Sequence, residues 1–321
     1  MISRKVLLAV MGPTASGKTE ASLPIAEALG AEIVCVDSML VYRGMDIGTA
    51  KPTLEQRQRV PHHLVDLVDP AEPFSVARFQ QLARETLADI ESRGKRALLV
   101  GGGGLYYRAV VDGLEFPGTA PRTRSLLRAE ASVLGPEALY RRLETFDPEA
   151  ARRIESTNAR RTVRALEVAA ITGRPFSSFA GDWDSYPKDA VRAAGIDLPR
   201  SLFHRRIEQR VTAMMPGLLD ETRRLLERGF GSLLTSSQAI GYAEAVGFLQ
   251  GAIGHEEAAA TTIRRTKALA RRQMAWLRRD PRIRWFVAGE EGALEIVEEI
   301  VAYLRGDQSP TEPKTIVTAE V

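Results

Sequence analysis

Apolar positions along this chain follow two rhythms. Residues 6–11, 33–36 and 97–100 are short runs that stay apolar at successive positions, the pattern of strands covered on both faces. Between them, 17–29 places Leu23, Ala26 and Leu29 at helical spacing, and 74–90 does so through Phe79, Leu82 and Leu87, so each predicts a crossover helix. Strand, helix, strand, helix, strand predicts an α/β fold with a mainly parallel sheet and helices on both faces.

Beyond residue 113 the rhythm changes to arginine-rich helical spacing at 121–134, 136–144 and 158–172, with no convincing strand before 200. This predicts an inserted all-helical domain. The stretch 181–200, with Trp183, Tyr186, prolines and glycine, reads as a loose connector, and long helices follow at 202–228 and 255–279. The expected organisation is a core begun by 1–115, an insert at 116–200, completion of the core with basic helices at 201–306, and a frayed polar tail at 307–321.

Composition narrows the class. With 321 residues, 44% of them hydrophobic, the chain can bury one large core or two modest ones, which excludes a disulfide-stapled miniature and a wholly disordered chain. Cys35 is the single cysteine and His62, His63, His204 and His255 are the four histidines, so an intrachain disulfide is impossible and a reducing compartment is expected. No stretch reaches the roughly 20 apolar residues of a membrane span, and the start lacks a cleavage pattern. A cytoplasmic, monomeric protein with no membrane partner is expected.

The net charge of +3 hides a lopsided field. Residues 1–116 carry 13 bases and 14 acids, 121–174 carry 11 arginines and 7 acids, and 264–284 carry nine bases and one acid. Arginine dominates, 37 against 7 lysines, and its forked donors suit phosphate. A contiguous basic field attracts a polyanion such as nucleic acid, although a solvated helix face produces the same pattern.

Gly12-Pro-Thr14-Ala15-Ser16-Gly17-Lys18-Thr19 matches the phosphate-binding G-x-x-x-x-G-K-[ST] pattern, and it lies directly after a strand and opens a helix. Gly12 and Gly17 let successive N–H groups curl into an anion nest at the helix N-terminus, Lys18 adds a mobile charge, and the Thr19 hydroxyl can hold Mg2+. The expected fold class is therefore a P-loop NTPase-like core. An NTPase would also need a strand ending in a metal-holding acid. Residues 97–100 run instead into glycines 101–104, whereas 32–37 ends in Asp37. Asp37 can be a metal carboxylate, a strand-end cap, or a base acting on a second substrate. The glycines imply a backbone approach too close for side chains. His62 and His63, adjacent in a strand, point oppositely, so one is expected to pack and the other to face solvent.

Taken together these strings resemble the tRNA dimethylallyltransferase family. The likeness covers roughly residues 5–280 and adds 37–42, 44–52, 61–64, the Arg161 to Glu167 R-x-x-R-A-L-E string, Arg206 to Arg210, Gln238 to Tyr242 and 270–276. It implies transfer of a dimethylallyl group from dimethylallyl diphosphate to N6 of adenosine 37 in tRNAs reading codons that begin with U. In that reading Asp37 accepts the N6 proton. Gly12, Thr14, Ala15, Ser16, Gly17, Lys18 and Thr19 bind the diphosphate with Mg2+, and Arg206 and Arg210, one helical turn apart, clamp it. The resemblance places Asp37, Ser38, Met39, Leu40, Gln56, Arg161, Gln238 and Arg272 against the tRNA anticodon stem-loop, with Lys51 near Gln56.

The chain departs from the family pattern at Gly103, where threonine is usual, at 155–158, and at Ala243 and Leu269. These departures bear on the grip on tRNA more than on the cradle. Two rivals remain at this point, a P-loop small-molecule kinase and a non-enzymatic RNA-binding NTP switch.

Overall fold

The computed structural model describes residues 6–179, 183, 185–231 and 236–307. Six parallel strands form one sheet: β1 (Leu7–Met11), β2 (Ala31–Cys35), β3 (His62–His63), β4 (Arg96–Gly101), β5 (Val191–Asp197) and β6 (Ile283–Val287), in the order β3-β2-β4-β1-β5-β6. The helices are α1 (Lys18–Leu29), α2 (Leu54–Arg59), α3 (Val76–Ser92), α4 (Gly104–Val111), α5 (Pro121–Leu134), α6 (Pro136–Phe146), α7 (Pro148–Arg153), α8 (Ala159–Thr172), α9 (Arg200–Glu227), α10 (Tyr242–Leu249), α11 (His255–Leu277) and α12 (Val297–Arg305).

Side chains alternate across the sheet because a strand repeats every two residues. Ala9, Met11, Val34, Leu99 and Ala193 pack on Phe79 of α3, Ile207 and Val211 of α9 and Tyr242 of α10. Leu8, Val10, Ile33, Leu98 and Ala194 face the other way, onto Ile25 and Ala26 of α1 and Ile300 and Leu304 of α12. Both faces are thus covered, as the short apolar runs require.

The chain divides into two compact units, one of residues 1–111 with 188–321, the other Asp112–Pro187. The second unit has its own core, in which Leu127, Leu139, Leu143, Val163 and Leu166 join α5, α6 and α8. The boundary expected at residue 200 differs from this division. The stretch read as a loose connector contains β5, which pairs in parallel with both β1 and β6. Its alanines and Gly195 carry little strand propensity. Packing selects the glycine: a Cβ on Gly195 would come within 2.6 Å of the Trp285 ring on β6. The tail expected to fray lies outside the described residues from 308 onward.

Candidate active site

Parallel sheets bind ligands at the carboxyl ends of their strands, where the connections diverge. Here β1, β2 and β4 end level with one another, with Met11 beside Gly101 and Cys35 beside Val100. The Gly12 N–H donates to the Gly101 carbonyl at 3.1 Å, and the Val36 N–H to Val100 at 2.9 Å. Asp37 therefore leaves β2 with only β4 between it and β1, the strand that feeds the phosphate loop. The glycine run permits this closeness. A Cβ on Gly101 would lie 2.3 Å from the Val36 carbonyl oxygen, and one on Gly102 would lie 2.8 Å from that of Gly12.

The cradle turns through two left-handed residues, Ala15 at φ 69° and Gly17 at φ 83°, and delivers the chain into α1, whose leading N–H groups have no partner within the helix. Ser16 is buried, its hydroxyl makes no hydrogen bond among the described residues and is folded towards Gly12, and its N–H donates to the Pro13 carbonyl at 3.2 Å. Gly17 is closed over by the 289–293 segment: a Cβ there would meet that of Ala293 at 2.8 Å and Arg206 Nη1 at 3.6 Å. Arg206 thus flanks the cradle.

One cavity gathers Thr14, Lys18, Thr19, Asp37 and Arg210. Its remaining wall is largely apolar, from Ile33, Cys35, Leu40, Ala50 and Pro52, with Ser22, Thr49 and His62 at its polar points. Desolvation by burial pushes Lys18 down to about 8, the Arg210 charge adding to the effect and Asp37 opposing it. Arg210 is lowered too, by burial, and makes no hydrogen bond among the described residues. Two incompletely compensated cations in one desolvated pocket attract an anion. The Cys35 thiol is pushed up to about 12 by burial and by Asp37, so it is an inert wall. A larger hollow at the opposite strand ends is lined by Leu7, Lys95, Arg96 and Arg192, but there Lys95 and Arg96 are exposed and Arg192 donates to the Leu304 carbonyl.

Asp37 Oδ1 accepts from the Met39 N–H at 2.8 Å, so the capping reading is met by one oxygen. No hydrogen bond to Oδ2 occurs among the described residues. Ser38, Met39 and Leu40 are half-buried around this turn, and Leu40 reaches the cavity. The opposing segment, 44–52, is held from behind. Glu221, on α9, accepts from the N–H groups of Asp46 and Ile47 and from the Tyr242 hydroxyl, which itself accepts from Gly48 N–H at 3.2 Å. Tyr242 is fully buried, so this member of the 238–242 string supports a loop.

Several expected RNA contacts are spent within the protein. Lys51 is a correction: its Nζ is buried, 2.6 Å from Asp46, 2.7 Å from Asp66 and 2.7 Å from the Tyr42 carbonyl. Asp46 of the same loop and Asp66 from beyond β3 capture it. Gln56 closes a capping box on Thr53. In the helical unit, Arg161 is exposed, whereas Arg164 and Arg124 pair with Glu167, whose side chain is buried. The exposed Gln238 offers its carbonyl to Arg265, and Arg272 lies exposed on α11. Neither histidine simply faces solvent, because the buried Glu32 draws His63 Nε2 to 2.7 Å and the Val60 carbonyl holds His62 Nδ1 at 2.7 Å.

The donors near Thr19 suit magnesium, being a hydroxyl and a carboxylate oxygen, both hard ligands. Among the described residues no group of three or more His, Cys, Asp or Glu side chains could cage a metal, so a metal here would share its shell with substrate oxygens. No helix among them is long and apolar enough to cross a membrane.

Comparison with known proteins gives the family. The family model for IPP transferase matches residues 40–280, and that for isopentenyl transferase matches 5–66. A tRNA dimethylallyltransferase of Streptomyces coelicolor is 48% identical over 291 residues, covering 90% of this chain and 93% of the relative. One from a Nocardioides species is 45% identical, covering 94% and 97%. The crystal structure of the tRNA isopentenylpyrophosphate transferase of Bacillus halodurans superimposes with a TM-score of 0.69 at 39% identity, covering 94% of this chain and 96% of that one. A eukaryotic dimethylallyltransferase acting on tRNA shares the fold, with a TM-score of 0.78 at 23% identity, covering 96% and 81%. With the family model spanning most of its length and relatives this similar spanning nine-tenths of it, the chain belongs to the tRNA dimethylallyltransferase, or IPP transferase, family.

Proposed function

We propose that this protein transfers a dimethylallyl group from dimethylallyl diphosphate to N6 of adenosine 37 in tRNAs reading codons that begin with U, releasing diphosphate. The observation that carries the reading is that the Asp37 carboxylate shares one cavity with the anion-binding end of the cradle and with Arg210. The apolar wall of Ile33, Leu40, Ala50 and Pro52 suits the five-carbon chain.

As the allylic C–O bond breaks, negative charge grows on the departing diphosphate. The N–H groups opening α1, with Lys18, Arg206 and Arg210, stabilise it without reorganising. The N6 lone pair forms the new C–N bond, and its proton passes to Asp37, whose orientation the Met39 N–H maintains. A magnesium ion held by Thr19 and substrate oxygens would supply further charge neutralisation. The adenine must leave the anticodon stack to reach Asp37, a smaller expense in a loop than in a duplex. Exposed Arg161 and Arg272 are assigned to RNA phosphates, with one chain acting as a monomer.

Incubation with dimethylallyl diphosphate and an unmodified anticodon stem-loop, followed by nucleoside mass spectrometry, is expected to show one hydrogen of the target adenosine replaced by a dimethylallyl group. An unchanged nucleoside, or ATP turnover without RNA, refutes the proposal and favours a kinase. Asp37→Asn retains an oxygen for the Met39 N–H but no base. Its turnover is expected to fall by about 10²–10⁴-fold with stem-loop affinity retained, whereas an NTP switch would need no such group.

A further inference from the structure

Gln273 lies on α11, 259 positions from the cradle in sequence, yet its Oε1 accepts from the Thr14 N–H at 2.9 Å. Its amide nitrogen lies over the glycine run, 2.8 Å from where a Cβ on Gly102 would stand. One helical turn later Trp276 seats against Gly104, whose Cβ would come within 2.9 Å of the indole. The glycine run is thus stripped of side chains on the side where α11 closes onto the phosphate loop.

The residue after Thr14 explains what this contact does. Ala15 has φ 69°, a left-handed conformation that an L-residue with a Cβ holds only where its surroundings over-determine it. The loop's internal Ser16-to-Pro13 hydrogen bond holds one side of Ala15. The Gln273 side chain holds the Pro13–Thr14 peptide, whose N–H donates to it and whose carbonyl accepts that Ser16 bond, so the turn around Ala15 is anchored from outside the loop.

We infer that Gln273 is a positioning residue of the anion cradle: by accepting the Thr14 N–H it keeps Ala15 left-handed and the following N–H groups turned towards the diphosphate. It touches no reacting atom. The inference rests on the reading of the cradle as a diphosphate site and adds a residue to it that the phosphate-loop pattern does not contain.

Gln273→Met keeps the length and most of the volume of the side chain and removes the acceptor. Calorimetric titration with inorganic diphosphate is expected to give a Kd raised about tenfold, the scale of one lost hydrogen bond plus a relaxed loop. KM for dimethylallyl diphosphate should rise with it, while kcat at saturation and anticodon stem-loop affinity stay near those of the parent. Diphosphate affinity unchanged in a folded Gln273→Met protein overturns the inference, as does a loss confined to kcat. If the parent protein itself binds no diphosphate, the functional reading fails instead. Hydrogen exchange in the parent needs no variant: the Thr14 amide is expected to be protected, and an amide exchanging at the rate of an open loop overturns the inference.

Discussion

Lys18 holds its charge at the edge of what its surroundings allow. Burial lowers it from 10.5 to about 8, Arg210 pushes the same way and Asp37 opposes both. A bound diphosphate favours the ammonium and so raises the value in the complex. Well below pH 8 the lysine is charged in both free and bound protein, and the full attraction is available. Above about 8 the free protein has lost the proton that the complex retains, so binding takes up a proton and weakens as pH rises towards the bound value. Calorimetry with dimethylallyl diphosphate at about pH 7 and about pH 9, in buffers of different ionisation enthalpy, should show weaker binding and proton uptake at the higher pH. Lys18→Met should lose this decline and keep only the ligand's own ionisation. Equal affinity of the parent protein at both values would exclude Lys18 as the titrating donor.

The turn from β4 into α4 separates two kinds of glycine. At Gly101 a Cβ would lie 2.3 Å from the Val36 carbonyl oxygen, so a side chain would push β2 away from β4 and move Asp37 with it. At Gly103 the nearest atom to such a Cβ is that same oxygen at 3.6 Å, and the Gly103 carbonyl accepts the Tyr107 N–H as the opening of α4. That is a cap position, which threonine occupies well. Gly101→Ala is expected to lower stability by about 1–3 kcal/mol, the usual scale of overpacking. Gly103→Thr should stay within about 0.5 kcal/mol of the parent. Chemical denaturation measures both, and equal midpoints for the two variants would contradict the close-approach reading of Gly101.

Across the whole molecule, folding redistributes the charge that the linear chain displays. Of the bases in 264–284, Arg265 pairs with Glu244, Lys267 with Glu208, Arg278 with Asp197 and Arg282 with Asp280. Arg271, Arg272 and Arg279 are exposed and make no ion pair among the described residues. The field offered to RNA is therefore narrower than a count of nine bases and one acid suggests. Arg272→Ala should lower stem-loop affinity and reduce the slope of log K against log salt by about one, with stability unchanged. Arg282→Met should leave that slope alone. It strands Asp280 in a site where both side chains are 3% exposed, a loss of about 3–5 kcal/mol in denaturation. A changed slope for Arg282→Met would reverse this division between surface and structural arginines.

The eight residues from Gly12 to Thr19 were legible in the chain because an anion nest and the helix it opens are made by neighbours in sequence. The alternation of strands and crossover helices was legible for the same local reason, as was the need for close backbones at 101–104. Asp37 stayed ambiguous among metal ligand, cap and base, since all three put a carboxylate at a strand end; the structure shows the capping contact through Oδ1 alongside exposure to the cavity. Tertiary structure alone decided that Val191–Asp197 is a strand, because the Trp285 ring on the next strand fills the space that Gly195 leaves open. It alone turned Lys51 inward, set Glu221 and Tyr242 behind the 44–52 segment, and brought Gln273 to Thr14. Those contacts join residues far apart along the chain, and no periodicity or short motif encodes which distant partner will satisfy a buried polar group.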